Sequence, residues 1–141
     1  MVRMKPALLQ IKTVVDSLAE KIGAPQNVLP TYGYSDDGAL PHVEITEDGH
    51  LSYVIVERGQ ELSRDFPLKT TELLYRIFKD VTFSMACSFE VRHRVKGEDF
   101  RRQLFAKQEE LLGLLNEEWR LRKQRDHELI LRSHPFDDNS N

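Results

Sequence analysis

The chain has 141 residues, of which 40% are hydrophobic and 30% are charged, and its formal net charge is -3. A chain of this length can bury roughly 68–70% of its unfolded surface, and this composition excludes intrinsic disorder. Its single cysteine, Cys87, excludes an internal disulfide. No segment has the apolar run of a secretion signal or of a membrane span. We therefore predict one soluble, cytoplasmic domain over residues 1–141.

The first 23 residues predict an N-terminal helix. Pro6 suits the first helical position, where its missing N–H costs nothing, and Gly23 suits the position just past the end. The apolar residues between them recur at spacings of three and four, which gives one apolar stripe: Leu8, Ile11, Val15, Leu18 and Ile22. A loop rich in Pro and Gly follows.

Residues 42–66 alternate between apolar and polar side chains and predict a three-stranded antiparallel meander. A three-residue loop with Gly49 in the left-handed region places one apolar set on a single face: Val43, Ile45, Leu51, Tyr53 and Ile55. A two-residue loop would mix that set with Glu44 and Thr46, because a shift of one residue exchanges the faces. The first register gives the cleaner buried face, and we favour it.

The same meander carries a second predicted turn and a polar outer face. A two-residue loop at Arg58-Gly59 would set Leu62 and Phe66 beside Ile55 and Leu51. The opposite face of the sheet would then carry mainly polar side chains. On this face we expect His42 and His50 to be exposed strand histidines.

Residues 70–133 have helical periodicity, and residues 134–141 form a tail. We predict a long central helix over residues 71–95 that is covered all round in its middle, because no charge lies between Val81 and Phe89. A third helix would run from Asp99 to Leu115, and Asn116 would cap a fourth that ends near Ser133. The predicted fold class is α+β, in the order α-βββ-ααα, with the meander packed on the helices.

No motif of catalysis or metal binding is present in the sequence. The chain lacks a Gly-rich phosphate loop, a nucleophile elbow and a close histidine pair on one helix, so we predict no cofactor and no metal. Cys87 and His93 are six residues apart, about 600° of helical rotation, and point to different sides. We expect no enzyme. An enzyme would need a pocket with His93 or His127 beside a carboxylate of raised pKa.

Charge is separated along the chain. From Ile22 to Glu57 there are six acidic residues and no basic ones, a segment charge of -6. From Arg92 to Arg125 there are ten basic and six acidic residues, a segment charge of +4. Such a separation bears on binding partners more than on fold.

The acidic segment predicts a protein-binding surface. Acidic side chains there suit a basic cleft on a partner and would speed association by electrostatic steering, while tyrosines supply anchors of low entropy cost. Ordinary polar loop chemistry explains any single one of these acids equally well. We name the predicted set the acidic contact surface: Tyr32, Tyr34, Asp36, Asp37, Glu44, Glu47, Asp48 and Glu57.

The basic helices favour a different function. Arg120, Arg122, Lys123 and Arg125 lie close together in the last helix, as in a regulatory or scaffolding adaptor that uses nucleic acid. However, they wind around the helix instead of lining one face, and the sequence pI is about 6.0. Ion pairing along the helix surfaces is the stronger interpretation.

Several stretches carry a resemblance to a known family. At "ERGQE", "LLYRIFKDVTFSMACSFEVRHR", "DFRRQLFAKQEELLGLLNEEW" and "HPFDD" the chain resembles a bacterial immunity protein of polymorphic toxin systems, specifically immunity protein family 63. The resemblance runs from about Tyr53 to Asp138 and covers long helical stretches, not a short catalytic signature.

The resemblance implies an antitoxin. Such a protein is made beside a toxin, binds the toxin's C-terminal domain in the cytoplasm and blocks it without enzymatic activity. The toxins are delivered between neighbouring bacteria, for example by contact-dependent inhibition, and many are nucleases with basic clefts. The resemblance carries over no binding residue, so the acidic contact surface is a separate hypothesis. Whether the chain associates with itself is left open by the sequence.

Overall fold

The computed structural model describes residues 4–35 and 40–139. The elements within these residues, in chain order, are α1 Pro6–Ile22, a 3-10 turn Gln26–Val28, β1 Thr31–Tyr32, β2 His42–Ile45, β3 Leu51–Glu57, β4 Gln60–Leu68, α2 Thr70–Arg92, α3 Phe100–Leu115 and α4 Glu117–Ser133. The α+β class is confirmed. The chain divides into two compact units, Met1–Ile77 and Phe78–Asn141, with the boundary inside α2. The single domain stays a prediction.

Helix α1 has the predicted ends. Pro6 occupies the first turn, and Gly23 closes the helix in the left-handed region at φ 68°. The N–H of Gly23 donates to the Glu20 carbonyl and the N–H of Ala24 to the Ala19 carbonyl, so the last turn is satisfied by backbone groups. One face of the helix is buried: Leu8, Ile11, Val15, Ala19 and Ile22.

The sheet of the first unit differs from the predicted three antiparallel strands. It has four strands in the order β1-β2-β3-β4 within the described residues, and it is mixed, because β1 runs parallel to β2. Thr31 pairs with His42, and Tyr32 pairs with Val43. The prediction missed β1, since two residues are too short to show an alternating pattern.

The favoured register of the first hairpin is confirmed. Ile45 pairs with Leu51 and Val43 with Tyr53, so these four side chains share a face. The Thr46 N–H donates to the His50 carbonyl at 2.9 Å around the loop. Gly49 has φ 86°, the left-handed conformation that this loop requires.

The second hairpin has the predicted turn but a different register beyond it. Glu57 pairs with Gln60 around the two-residue turn, but the register shifts between Val56 and Ile55 and again between Tyr53 and Leu51. Ile55 therefore lies opposite Ser63, and Leu51 lies opposite Leu68. The predicted partners of Leu62 and Phe66 are therefore wrong. Both side chains are exposed, at 57% and 50%. A β-bulge inserts one extra residue into one strand, so it reverses which side chains face the core.

Helix α2 is shorter than predicted and is not covered all round. It ends at Arg92, three residues before the predicted end at Val95. In its second half Val81, Thr82 and Ala86 are buried, whereas Phe83 is 46% exposed. The absence of charge between Val81 and Phe89 predicts full burial, and that prediction is wrong.

Helices α3 and α4 occupy the second unit together with residues 78–92 of α2. The buried Gln108 amide on α3 donates to the Lys79 carbonyl of α2 at 2.9 Å, which ties the two helices by a polar contact. The Phe78 and Trp119 rings are stacked with centroids 6.0 Å apart. Asn116 ends α3 and caps α4, as predicted.

The Asn116 cap yields a stability prediction. Its side-chain oxygen accepts from the N–H groups of Glu118 at 2.9 Å and Trp119 at 3.3 Å. Because Asn116→Ala leaves these groups to water, we expect the free energy of unfolding to fall by about 1 kcal/mol in urea denaturation. Asn116→Asp keeps the acceptor and is the matched control. A loss as large in Asn116→Asp as in Asn116→Ala would contradict the capping role.

The C-terminal segment 134–138 is fastened to the start of α3. The Asp99 carboxylate, 4% exposed, accepts from the N–H of Asp137 at 2.8 Å and from the side chain of Arg101 at 2.9 Å. The Arg102 guanidinium pairs with Asp138 and lies 4.2 Å from the centre of the Phe136 ring. This C-terminal clasp orders a tail in which no helix or strand was predicted.

Candidate interaction surface

The acidic contact surface lies in the first unit, and the structure describes six of its eight residues. Asp36 and Asp37 lie outside the described residues. Glu47, Asp48 and Glu57 are exposed, and Glu44 is partly exposed. Its members do not form one cluster, because Glu47 and Asp48 precede β3 whereas Glu57 ends it. Seven residues of strand span roughly 20 Å or more.

Glu47 and Asp48 form the tip of the first hairpin. The turn is fixed by hydrogen bonds on both sides, including one from the His50 N–H to the Thr46 hydroxyl at 3.0 Å. Within residues 4–35 and 40–139 neither carboxylate forms an ion pair. Both carboxylates are therefore exposed to solvent and point outward from a turn that hydrogen bonds hold in place.

Glu44 is held in a polar network on the sheet. Its carboxylate accepts from Arg64 at 3.0 Å and contacts His42 Nε2 at 2.7 Å. Burial acts to raise the pKa of Glu44, but the hydrogen bonds from Arg64 and His42 outweigh burial and hold that pKa below its usual value. Arg64 also pairs with Glu61 at 2.7 Å. Glu44 is consequently less free than the turn acids to meet a partner.

The burial of His42 differs from the prediction. This residue was predicted to be an exposed strand histidine, but it is 3% exposed. The error arose because the face of the sheet predicted to be polar is covered at this end, where Ser52 and Val54 are buried as well. His50, by contrast, is exposed as predicted, and its ring meets Phe66 edge-on at 5.9 Å.

The two tyrosines have different environments. Tyr34 is 63% exposed, whereas Tyr32 is 6% exposed, and its hydroxyl finds no hydrogen-bond partner among residues 4–35 and 40–139. Burial raises the pKa of Tyr32, and the nearby Asp16 charge acts in the same direction. Only Tyr34 presents its ring to solvent as an anchor. The contact role of both residues stays a prediction.

A groove connects Tyr34 with Glu44. It has a volume of about 590 Å³ and includes Lys5 and Leu8 from the start of α1. The Lys5 ammonium reaches the Ile45 carbonyl at 3.5 Å across this end of the groove. The sequence did not predict the groove because no local pattern brings residue 5 beside residue 45.

The Arg64 network predicts a measurable pH effect. Hydrogen bonds from Arg64 lower the pKa of both Glu44 and Glu61. A lowered carboxylate pKa contributes stability above the unfolded-state value of about 4.3, and this contribution is lost as pH falls through the folded-state pKa. Arg64→Gln should therefore raise both pKa values, as measured by NMR titration. Its stability deficit at pH 7 should shrink below about pH 4. Arg58→Gln is the control, and unchanged titration of Glu44 in Arg64→Gln would contradict the network.

Several basic residues of the second unit are ion-paired. Arg120 contacts Glu117 one turn before it, and Lys123 lies 3.8 Å from Asp126. Burial lowers the pKa of Lys123, so this side chain is no freely solvated basic group. Ion pairing along the helix surfaces is thus confirmed for these two residues. The nucleic-acid adaptor stays an alternative prediction.

The histidine–carboxylate pair of the second unit is packed, not open. His127 is 3% exposed, its Nδ1 lies 2.7 Å from Glu109, and its ring stacks on Phe105 at 3.9 Å. Burial lowers the pKa of His127, while the bond to Glu109 opposes that shift. Cys87, whose thiol pKa is raised by burial, is likewise no activated nucleophile. These arrangements suit packing.

Two further findings concern sites and membranes. Among residues 4–35 and 40–139, no group of three or more His, Cys, Asp or Glu side chains is placed to hold a metal ion. In the same part of the chain, none of the helices combines the length and apolarity needed to cross a bilayer.

Together, the fold and its charged surface define an α+β protein with an exposed acidic hairpin and a neighbouring groove. The family model described as Immunity protein 63 matches residues 47–129, which is more than half of the chain. The chain therefore belongs to the Immunity protein 63 family, as the resemblance implied. No curated protein and no solved structure matches it.

Proposed function

We propose that this protein is an antitoxin that neutralises the cytotoxic C-terminal domain of a cognate bacterial toxin by stoichiometric binding, without turnover. The observation that carries the proposal is membership of the Immunity protein 63 family over residues 47–129. The protein would act in the cytoplasm of a bacterium, against a toxin delivered by a neighbouring cell through contact-dependent or related systems.

The acidic contact surface is the part of the molecule we propose to meet the toxin. Glu47 and Asp48 are exposed at the tip of the first hairpin, and Tyr34 has a ring that is 63% exposed. Tyr32, Asp36, Asp37, Glu44 and Glu57 belong to the same proposal. Most of this surface precedes residue 47, where the family match begins. The surface and the family are therefore separate lines of support.

The charge of this surface favours a toxin with a basic cleft, such as a nuclease. Opposite charges accelerate encounter, and the aromatic anchor then fixes the docked orientation at low entropic cost. The groove between Tyr34 and Glu44 would receive a side chain from the toxin. Block of the toxin would follow from occupation of its cleft, so no catalytic residue is required of the antitoxin.

Co-expression tests the proposed function. The C-terminal domain of the protein encoded immediately upstream is expressed in a bacterium with this chain or without it. We expect growth arrest without the intact chain and rescue with it. The two proteins should also elute from a sizing column as an equimolar complex. Toxicity that the intact chain fails to relieve would contradict the proposal for this pair.

A further inference from the structure

The sheet of the first unit has one protected edge. Strand β4 forms this edge, and its pairing with β3 shifts register at two places. The strand also contains Pro67, which has no N–H to donate, and the exposed charged residues Glu61 and Arg64. Bulges, proline and exposed charges are the features by which natural sheets prevent a further strand from adding to an edge. The β4 edge is therefore unsuited to pairing with a partner.

The other side of the sheet has an unpaired position at Ile45. The direction of the backbone hydrogen bonds alternates along β2. The Thr46 N–H donates to the His50 carbonyl within the hairpin at 2.9 Å. The Val43 carbonyl, on the opposite side of the strand, accepts from the Gly33 N–H at 2.7 Å. Ile45 lies two residues after Val43, so its N–H and C=O also point away from β3, and β1 pairs with β2 only as far as Val43.

The backbone groups of Ile45 are consequently open to a further strand. Within the part of the chain that the structure describes, the Ile45 N–H has no hydrogen-bond partner, and its carbonyl has only the Lys5 ammonium at 3.5 Å. Ile45 also lines the groove of about 590 Å³ that connects Tyr34 with Glu44. A backbone donor and a backbone acceptor side by side at the wall of a groove recognise the backbone of an extended peptide.

We propose that an extended segment of the cognate toxin pairs with β2 at Ile45, in the position beside β2 that β1 does not reach. The inference rests on the proposed antitoxin function and specifies how the toxin is held. One residue of the segment accepts a hydrogen bond from the Ile45 N–H and donates one to the Ile45 carbonyl, in place of Lys5. Because side chains alternate between the two faces of a strand, the segment also directs a side chain into the groove toward Leu8.

The groove favours an apolar side chain of the toxin at this point. Its wall includes Met4 and Leu8. The Glu44 carboxylate at the same groove already accepts from Arg64 at 3.0 Å, and Lys5 adds a positive charge, so a basic side chain is not favoured here. Basic groups of the toxin would instead meet the acids at the tip of the first hairpin. Steering by charge and holding by strand pairing are then carried by neighbouring parts of one surface.

Amide hydrogen exchange of the full chain, followed by NMR, tests the pairing. In the free protein the Ile45 amide should exchange at least about 10-fold faster than the Thr46 amide, which is bonded to His50. In the complex with the toxin domain the Ile45 amide should become as protected as that of Thr46. A scalar coupling across the hydrogen bond, from the labelled Ile45 nitrogen to a labelled carbonyl carbon of the toxin, would identify the acceptor.

Two variants separate the backbone of Ile45 from its side chain. Ile45→Pro removes the N–H, and an edge position whose N–H points away from the sheet tolerates proline. Ile45→Ala shortens the same side chain but keeps the N–H, so it is the matched control. We expect the toxin Kd of Ile45→Pro to exceed that of Ile45→Ala by about 10-fold, mainly through faster dissociation. Circular dichroism checks that both variants fold.

The outcomes distinguish this inference from the proposed function. A one-to-one complex in which the Ile45 amide still exchanges rapidly and shows no coupling to the toxin would overturn the strand pairing and leave the antitoxin function intact. Equal toxin affinity of Ile45→Pro and Ile45→Ala would do the same. If Ile45→Pro does not fold, the exchange and the coupling of the wild type decide. Absence of any complex between the wild type and the toxin domain would overturn both proposals.

Discussion

Reversal of the charges at Asp36 and Asp37 and at the tip of the first hairpin should slow toxin association by about 10- to 100-fold at low salt, with little effect on stability. The variant carries Lys at four positions: Asp36, Asp37, Glu47 and Asp48. Glu47 and Asp48 are exposed and make no ion pair within residues 4–35 and 40–139, so at these two positions the change removes no stabilising contact. The charge reversal should therefore change mainly the rate of association with the toxin.

Stopped-flow kinetics at several salt concentrations measure this effect. The control variant changes the net charge equally at four exposed acids outside the acidic contact surface, replacing Glu20, Glu110, Asp126 and Glu128 with Lys. We expect the control to slow association far less, and both effects to fade as salt screens the charges. An association rate at low salt that the first variant leaves unchanged would rule out this surface as the site of steering.

The second large effect concerns the C-terminal clasp. Asp99→Ala should lower the free energy of unfolding by roughly 3 kcal/mol, because it removes a buried acceptor and leaves the Arg101 guanidinium and the Asp137 N–H without it. Asp138→Ala, at a more exposed carboxylate, should cost markedly less. Urea denaturation followed by circular dichroism provides both values. An equal loss of unfolding free energy in the two variants would contradict the conclusion that Asp99 contributes more to the clasp than Asp138.

The pH dependence of the clasp distinguishes charge from packing. Hydrogen bonds from the Arg101 side chain and the Asp137 N–H hold the pKa of Asp99 well below its usual range. The resulting stability is present above the unfolded-state pKa of about 3.9 and is lost as pH falls through the folded-state value. The gap between wild type and Asp99→Ala should thus be constant above about pH 5 and shrink in stronger acid. A gap that persists unchanged at low pH would assign the loss to packing alone.

Local rules were sufficient for several elements. The ends of α1 follow from Pro6 and Gly23, and the cap of α4 follows from Asn116, since each depends on residues within one turn. The loop at Gly49 was predictable because only one register collects the apolar side chains on one face. In all these cases the determining contacts lie close together in the chain.

The features that the sequence did not predict share a different cause: they depend on contacts between residues far apart in the chain. Strand β1 exists because residue 31 pairs with residue 42, and its two residues have no pattern of their own. The burial of His42 and Tyr32 depends on which elements cover the sheet, and neighbouring residues do not encode that. The uncharged middle of α2 suggests a core helix when only the sequence is considered, and the exposure of Phe83 shows that one side of this helix is not covered.

The candidate site was predictable only in part. The absence of basic residues between Lys21 and Arg58 identifies an acidic region from the sequence alone. It does not reveal that Arg64 neutralises Glu44, that Tyr32 is packed inside, or that a groove joins Tyr34 to α1. These features depend on strand pairing and on helix placement, so they needed the structure.

The central claim is stoichiometric neutralisation, and titration of toxin activity tests it most directly. The isolated toxin domain, held at a concentration well above the Kd, is assayed against increasing amounts of this protein. We expect activity to fall linearly and to reach its floor at one chain per toxin domain. Full inhibition at a small fraction of one equivalent would indicate turnover, and a tight complex that leaves the toxin active would show that binding is not neutralisation. Either result would contradict the account.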